Sequence, residues 1–211
     1  MTTDLTFQNG IHIEWHNGDD GGGSVHYVDF LKAIGNDKKY NKGLEWCAGS
    51  SAIAFSLIDN KVCDNFVLMD IYEPALKRAK HNAKLNNIDE KIQYYVCDKI
   101  SLLPSYEKFD LVVANPPHCP EDHWIPDSPD QSSSYRITID LDWHLHKEFY
   151  QNIVQYLHPN ADIYISQIME HADIDEYIKN SGLVIVNEIP AKYLSIDSKT
   201  QAFIRHLRYE A

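Results

Sequence analysis

Short apolar runs alternate with helical patterns along most of the chain. Seven runs have the length and β-branched composition of buried strands, and they lie at residues 43–47, 66–69, 92–97, 110–114, 161–166, 183–189 and 202–207. Between them, apolar side chains recur at helical spacing, for example at Ala75, Leu76, Ala79 and Ala83. Pro159 and Asn160 are expected to stop the helix that precedes the fifth run. Strands that alternate with helices predict a mostly parallel sheet with helices on both faces.

The last two runs read as two final strands joined by a turn, which predicts a C-terminal antiparallel hairpin. We therefore expect an α/β, Rossmann-like fold built on a seven-stranded sheet. Because no internal repeat or interdomain linker is found, residues 1–211 are expected to form one domain, with an N-terminal lid or helix region at 1–41 and the Rossmann-like core at 42–211. The Gly- and Asp-rich segment 17–24 is expected to be a turn or lid, and the Pro-, Ser- and Asp-rich stretch 119–140 a substrate loop.

The composition limits the class of protein. Hydrophobic residues make up 44% of the chain and charged residues 24%, and no apolar run approaches the ~20 residues that span a bilayer. The amino terminus lacks the pattern of a signal peptide, and four scattered cysteines without a CxxC pair favour reduced thiols. We therefore expect a cytoplasmic protein without membrane contact. The net charge of −12 disfavours nucleic acid as a partner, because affinity for nucleic acid comes largely from neutralised phosphates.

Acidic side chains lie at or near the ends of three predicted strands, where ligands bind in open α/β sheets. Glu45 is in the first strand, and the small residues after it let a ligand approach the backbone closely. Asp70 ends the second strand, where a carboxylate can bond both hydroxyls of a ribose. Asp98 ends the third, where it can accept a proton from an adenine amino group. Only Gly49 is a glycine in the first turn, so the GxGxxG pattern of pyrophosphate binding is absent.

The most informative segment is Asn115, Pro116, Pro117 and His118, which follows the fourth buried strand. Two prolines fix the chain and remove two N–H donors, which leaves the Asn115 side-chain oxygen and the Pro116 carbonyl as acceptors. Two such acceptors suit the two protons of an NH2 group, and the His118 ring can stack on the planar group that carries this nitrogen. Accepting those protons localises the nitrogen lone pair and stabilises the charge that develops as it attacks.

With these residues the chain resembles the class I S-adenosylmethionine-dependent methyltransferases that carry an Asn-Pro-Pro-aromatic motif. That group includes protein-glutamine N5 methyltransferases and N6-adenine and N2-guanine methyltransferases. The resemblance covers roughly residues 43–166. It implies S-adenosylmethionine as cofactor, with its ribose on Asp70, its adenine between Asp98 and Ile71, and the Lys99 backbone N–H and Asn115 as further contacts. The methionine part of the cofactor would be wrapped by Glu45, Cys47, Ala48 and Gly49.

The chain departs from the family pattern at three positions. Cys47 and Ser51 stand where the usual loop has glycines, which puts the pose of the cofactor in question. His118 replaces the commoner Tyr or Phe, and it can stack with less area or donate a hydrogen bond. The departure at His118 leaves the branch of the family open.

The resemblance and the charge together favour methyl transfer to a planar amide or amino nitrogen, with a protein glutamine side chain as the preferred acceptor. The alternatives are methylation of an RNA or DNA base and a non-catalytic scaffold that binds the cofactor, while an NAD-dependent reductase is disfavoured by the missing GxGxxG. No metal is expected. Cys119, His118 and His123 lack a fourth ligand at a convincing spacing, and His144 and His146 lie two apart on a predicted helix, so they face different directions.

Overall fold

The structure is a computed structural model that describes residues 2–16, 25–119, 138–167, 172–194 and 202–210. Two short strands come first, β1 (Thr2–Thr6) and β2 (His12–His16). The seven later strands are β3 (Tyr40–Trp46), β4 (Cys63–Asp70), β5 (Ile92–Val96), β6 (Phe109–Ala114), β7 (Leu157–Gln167), β8 (Leu183–Ala191) and β9 (Ala202–Tyr209). They form one sheet in the order β5-β4-β3-β6-β7-β9-β8. Strands β3 to β7 pair in parallel, and β9 is antiparallel to both β7 and β8. The predicted seven-stranded sheet with its C-terminal hairpin is confirmed.

Helices cover both faces of the sheet. On one face lie α1 (His26–Ile34), α2 (Ala52–Asp59) and α3 (Glu73–Leu85), and on the other α4 (His144–Asn152) and α5 (Ala172–Ser181). Two apolar cores follow from this arrangement. Alternate residues of the strands pack against the first three helices, and the residues between them pack against α4 and α5. None of the helices in the described ranges is long and apolar enough to cross a membrane.

The N-terminal region contains helix α1 and also an antiparallel hairpin of β1 and β2 that sequence reasoning missed. Side chains from two helices hold this hairpin against the domain. Asn82 of α3 accepts the backbone N–H of Glu14 and donates to its carbonyl, and Asn86 makes the same pair of bonds to His12. The carboxylate of Asp59, at the end of α2, accepts two further backbone N–H groups from the turn of the hairpin. The hairpin is therefore part of the folded domain.

One expectation about a helix end was wrong. Pro159 and Asn160 were expected to stop the helix before the fifth strand of the core, but α4 ends at Asn152 and residues 153–156 form a single 3-10 turn. Both residues instead lie inside β7, where the pairing with β6 shifts register, and Asn160 takes a φ of +64°. A bulge tolerates a proline because its missing N–H is not needed in the ladder.

Candidate active site

The predicted site residues meet at one edge of the sheet. Strand β3 lies between β4 and β6, which is the point where the strand order reverses. The carboxyl ends of these parallel strands share one edge, and such a switch point is where open α/β sheets bind ligands. The expected lid at 17–24 lies outside the described residues, as does most of the expected substrate loop at 119–140.

The turn from β3 to α2 has an unusual backbone. Cys47, Gly49 and Ser51 have φ values of +55°, +47° and +58°, in the left-handed region that favours glycine. Cys47 and Ser51 therefore adopt, without being glycines, a backbone conformation that glycine adopts without strain.

The carboxyl groups of Asp70 and Glu45 stabilise this turn by accepting backbone N–H groups. Asp70 accepts hydrogen bonds from the N–H groups of Gly49 and Tyr72, each at 2.8 Å, so it links the turn after β3 to the turn after β4. Glu45 is buried, and its carboxylate accepts the N–H of Ala54 at 2.9 Å at the start of α2. Burial raises the pKa of Glu45 to about 8, although bonds from the helix N–H groups act in the opposite direction.

The predicted adenine contacts lie beside Asp70. Ile71 is 58% exposed, which is high for a large aliphatic side chain, and it offers apolar surface that a flat ring can cover. Asp98 is half-buried at the end of β5, and Lys99 is exposed after it. The chain beyond Lys99 is anchored by Glu148 of α4, whose carboxylate accepts the N–H groups of Ile100 and Ser101. The roles of these residues toward an adenine stay predictions.

Asn115 is held at both ends of its carboxamide. Its Nδ2 donates to Nδ1 of His26 at 3.2 Å, and its Oδ1 accepts the hydroxyl of Ser166 at 2.6 Å. Nε2 of His118 lies 3.3 Å from the same Oδ1 and 3.1 Å from the Ser166 oxygen. Since the Ser166 proton goes to Asn115, His118 is the donor in these contacts. The network fixes the Asn115 oxygen toward Ser166 and His118. When the His118 proton goes to the Ser166 oxygen, the closer of its two acceptors, the second lone pair of the Asn115 oxygen is left for another donor.

His26 determines which way the Asn115 carboxamide points. Burial lowers the pKa of His26, against the opposing effects of Asp29 and of a hydrogen bond to the Tyr193 backbone. A neutral imidazole can accept at Nδ1, whereas a protonated one can only donate. A neutral His26 therefore keeps the amide nitrogen of Asn115 on its own side and leaves the oxygen on the other.

Pro116 and Pro117 are buried directly after Asn115, and His118 is half-buried. The N–H groups of His118 and Cys119 both donate to the Thr138 carbonyl, at 3.1 and 2.9 Å, so the segment is tied to the chain that returns toward α4. The two prolines leave only carbonyl groups at this corner, as the sequence suggested.

Sequence reasoning missed His26 and Ser166. They lie 89 and 51 residues from Asn115 along the chain, and no local spacing connects them to it. The one available signal was position: Ser166 is near the carboxyl end of a predicted strand and so at the ligand edge of the sheet.

A mostly parallel sheet with this strand order and with acids at its strand ends has the architecture of α/β proteins that bind ligands at such a switch point. A family profile described as a methyltransferase domain matches residues 37–200. The chain therefore belongs to the methyltransferase-domain family, and S-adenosylmethionine is its cofactor. The edge of the sheet fits this molecule, because Asp70 faces the site beside the exposed Ile71 and the left-handed turn brings backbone close to it.

Relatives of known name match only part of the chain. A release factor glutamine methyltransferase from Leptospira interrogans is 30% identical over 122 residues, which are 56% of this chain and 40% of the relative. A ribosomal protein uL3 glutamine methyltransferase from Francisella tularensis is 33% identical over 75 residues, 36% of this chain and 24% of the relative. The matched part thus spans less than half the length of each relative.

Solved structures share the fold over nearly the whole chain. A crystal structure of an S-adenosylmethionine-dependent methyltransferase from Clostridium acetobutylicum superposes with a TM-score of 0.60 at 13% identity, covering 90% of this chain and 93% of that one. A methyltransferase from Pyrococcus furiosus gives a TM-score of 0.63 at 13% identity, covering 94% and 89%. At such identity the likeness concerns the fold.

Proposed function

We propose that the protein is an N-methyltransferase that transfers the methyl group of S-adenosylmethionine to a planar amide nitrogen, with a protein glutamine side chain as the preferred acceptor. The observation that carries this proposal is the Asn115 carboxamide, which His26 and Ser166 hold at both ends. Its oxygen and the neighbouring Pro116 carbonyl form a pair of acceptors at the ligand edge of the sheet.

This pair of acceptors answers the chemical problem of an amide nitrogen, whose lone pair is delocalised. The Asn115 oxygen and the Pro116 carbonyl accept hydrogen bonds from the two N–H groups, so the lone pair becomes available and the developing positive charge is stabilised. The cofactor would supply an electrophilic methyl group on its sulfonium. The bond to sulfur would break as the bond to nitrogen forms, S-adenosylhomocysteine would leave, and the methylated nitrogen would lose one proton to solvent. Much of the rate then comes from holding the reacting atoms about 3–3.5 Å apart in line. His118 stacks on the plane of the acceptor.

The cofactor is held by the residues that the resemblance implies. Asp70 binds the ribose with the lone pairs that its bonds to Gly49 and Tyr72 leave available, and Ile71 covers the adenine. Asp98 and the Lys99 backbone bind the adenine edge. The methionine part lies against the left-handed turn formed by Glu45, Cys47, Ala48 and Gly49, and against Asn115.

Two observations support a protein acceptor. The relatives named above are called glutamine methyltransferases of a release factor and of a ribosomal protein. The net charge of −12 is unfavourable for a partner that presents phosphates. We also propose the cytoplasm as the compartment, since all four cysteines are free thiols.

The proposal is tested by incubating the protein with a cell lysate and methyl-labelled S-adenosylmethionine, followed by separation of protein, nucleic acid and small molecules. We expect label in protein, and we expect acid hydrolysis of the labelled protein to release methylamine, because an N-methylated glutamine gives this product. Label in RNA or DNA would replace the proposal with base methylation. Cofactor binding with no label in any fraction would support the non-catalytic scaffold.

A further inference from the structure

Several buried polar side chains have hydrogen-bonding atoms without a partner in the described part of the chain. Three of these side chains lie on α4 or at the end of β7, and the unpaired atoms are Nε2 of His146, the hydroxyl of Tyr150, and both the oxygen and the nitrogen of the Gln167 carboxamide. The exposed fractions of these residues are 0%, 1% and 2%. Burial of an unpaired polar atom is costly, so unpaired atoms grouped in one place indicate a site that a ligand completes. We call these three residues the unpaired polar cluster.

The cluster adjoins the Asn115 network. His146 and Tyr150 lie one turn apart on α4, with ring centroids 6.4 Å apart, and the centroid of the His118 ring is 6.3 Å from that of His146. Gln167 is the last residue of β7, and its side chain faces the same side of the sheet as those of Ile163 and Ile165, which pack in the core that contains Tyr150. The cluster and the Asn115 network therefore meet at the carboxyl ends of the strands.

His146 is rigidly positioned. Its Nδ1 lies 2.6 Å from the carboxylate of Asp140, and both side chains are fully buried. Trp46 and Trp143 both contact the His146 ring edge to face, with centroids at 5.9 and 5.2 Å. Because Nδ1–H donates to Asp140, the Nε2 of a neutral His146 presents a lone pair that can accept an N–H.

The other two members of the cluster supply donors. Burial raises the pKa of Tyr150, so its phenol keeps its proton and can donate it. Gln167 offers both an NH2 and a carbonyl oxygen. The one cation near Tyr150 within the described residues, Arg205, is already paired with Asp175 and Glu188. These surroundings thus favour a neutral ligand group that has a hydrogen-bond acceptor and a hydrogen-bond donor next to each other.

We propose that the unpaired polar cluster is the subsite that holds the carboxamide of a protein glutamine acceptor. Its carbonyl oxygen lies on Tyr150 and Gln167, one of its two N–H groups lies on His146 in place of the Pro116 carbonyl, and the other N–H lies on the Asn115 oxygen. This inference rests on the proposed function, since it places the acceptor between the cluster and the Asn115 oxygen. Asp140 is a positioning residue, because it acts on the acceptor only through His146.

The first test needs no substrate and compares two buried tyrosines. Tyr156 donates its hydroxyl to the Leu103 carbonyl at 3.0 Å, whereas the Tyr150 hydroxyl has no partner among the described residues. We expect Tyr150→Phe to leave the melting temperature unchanged or to raise it by about 2–4 °C, and Tyr156→Phe to lower it by a similar amount. A fall for Tyr150→Phe equal to that for Tyr156→Phe would mean that Tyr150 is satisfied within the protein, and it would overturn the proposal.

The second test measures ligand binding by saturation-transfer NMR on protein loaded with S-adenosylhomocysteine. The probe is N-acetyl-glutamine methylamide, and adenosine is the comparison. We expect binding of the glutamine probe that weakens at least tenfold in the double variant Tyr150→Phe, Gln167→Leu and is unchanged in Tyr156→Phe. Loss of the two hydrogen bonds accounts for this factor. Binding of adenosine instead of the amide, or of neither probe, would overturn the assignment.

The two proposals fail in different ways. If label enters protein glutamine but the double variant methylates it with unchanged KM and kcat, the subsite is wrong and the function stands. If the glutamine probe binds at the cluster but no protein is labelled, the methylation proposal is wrong and the subsite stands.

Discussion

Ser51 gives a stability prediction that separates two physical effects at one position. Its φ is +58°, its side chain is fully buried, and its hydroxyl has no partner within the described ranges. The native backbone is thus strained for a serine, and a polar atom is buried without compensation. We predict that Ser51→Ala and Ser51→Gly both stabilise the protein, the second more than the first.

The magnitudes for Ser51 follow from the two effects. A buried unpaired hydroxyl costs about 1–3 kcal/mol, so its removal in Ser51→Ala should gain about 1 kcal/mol. A left-handed φ costs a residue other than glycine about 1–2 kcal/mol, of which the greater freedom of unfolded glycine offsets about 0.5–1 kcal/mol. Ser51→Gly should therefore gain about 2 kcal/mol. At roughly 2–4 °C per kcal/mol, the melting temperature should rise by about 2–4 °C for alanine and about 4–8 °C for glycine.

Thermal unfolding followed by circular dichroism measures both shifts. Ser56 is the matched control, since it is buried in α2, the helix that Ser51 directly precedes, but donates its hydroxyl to the Ile53 carbonyl at 2.7 Å. Ser56→Ala should not stabilise the protein. A lower melting temperature for Ser51→Gly than for the wild type would refute the reasoning about strain, and a lower value for Ser51→Ala would refute the reasoning about the unpaired hydroxyl.

Three further predictions concern the site and the hairpin. Ser166→Ala should lower kcat about tenfold with unchanged affinity for S-adenosylhomocysteine, because one hydrogen bond that orients Asn115 is lost; equal kcat would refute its positioning role. Burial raises the pKa of Glu45 to about 8 from an ordinary 4.5, so the stability that Glu45 contributes is present below about pH 4.5 and is lost as the pH rises toward 8. Glu45→Gln should therefore flatten the fall in melting temperature over that pH range. An unchanged slope would contradict the burial argument. Asn82→Ala should lower the free energy of unfolding, measured by urea titration, by about 2 kcal/mol, because two hydrogen bonds to the Glu14 backbone are removed. A loss of less than about 0.5 kcal/mol would show that the hairpin adds little to the stability of the protein.

The central core strands could be predicted because they are short apolar runs buried on both faces, as at Leu111, Val112 and Val113 of β6. The start of the bulged strand β7 could not be predicted, because Pro159 and Asn160 have the local preferences of a helix end and only the pairing with β6 keeps them in the sheet. The N-terminal hairpin has a local signal, an Asn-Gly pair at Asn9 and Gly10 between alternating residues, that could have found it.

The site divides in the same way. Asp70, Asp98 and Asn115 could be placed at the ligand edge, because the end of a parallel strand fixes that location whatever the rest of the chain does. His26 and Ser166 could not, because their contacts with Asn115 arise only when α1 and β7 pack beside β6. The contact of Glu45 with the cofactor stays a prediction. Its contact with the Ala54 N–H at the start of α2 could not be predicted, because it depends on the strand-to-helix turn.

The account depends most directly on the Asn115 oxygen, and one comparison tests it. Turnover of the labelled acceptor and affinity for S-adenosylhomocysteine should be measured for Asn115→Ala and for Asn65→Ala, whose carboxamide lies toward the opposite end of the sheet and bonds the Asn41 carbonyl. We predict that Asn115→Ala loses turnover by at least a hundredfold (about 2.7 kcal/mol) with cofactor affinity nearly intact, and that Asn65→Ala behaves as the wild type. Wild-type turnover in Asn115→Ala would contradict the central claim.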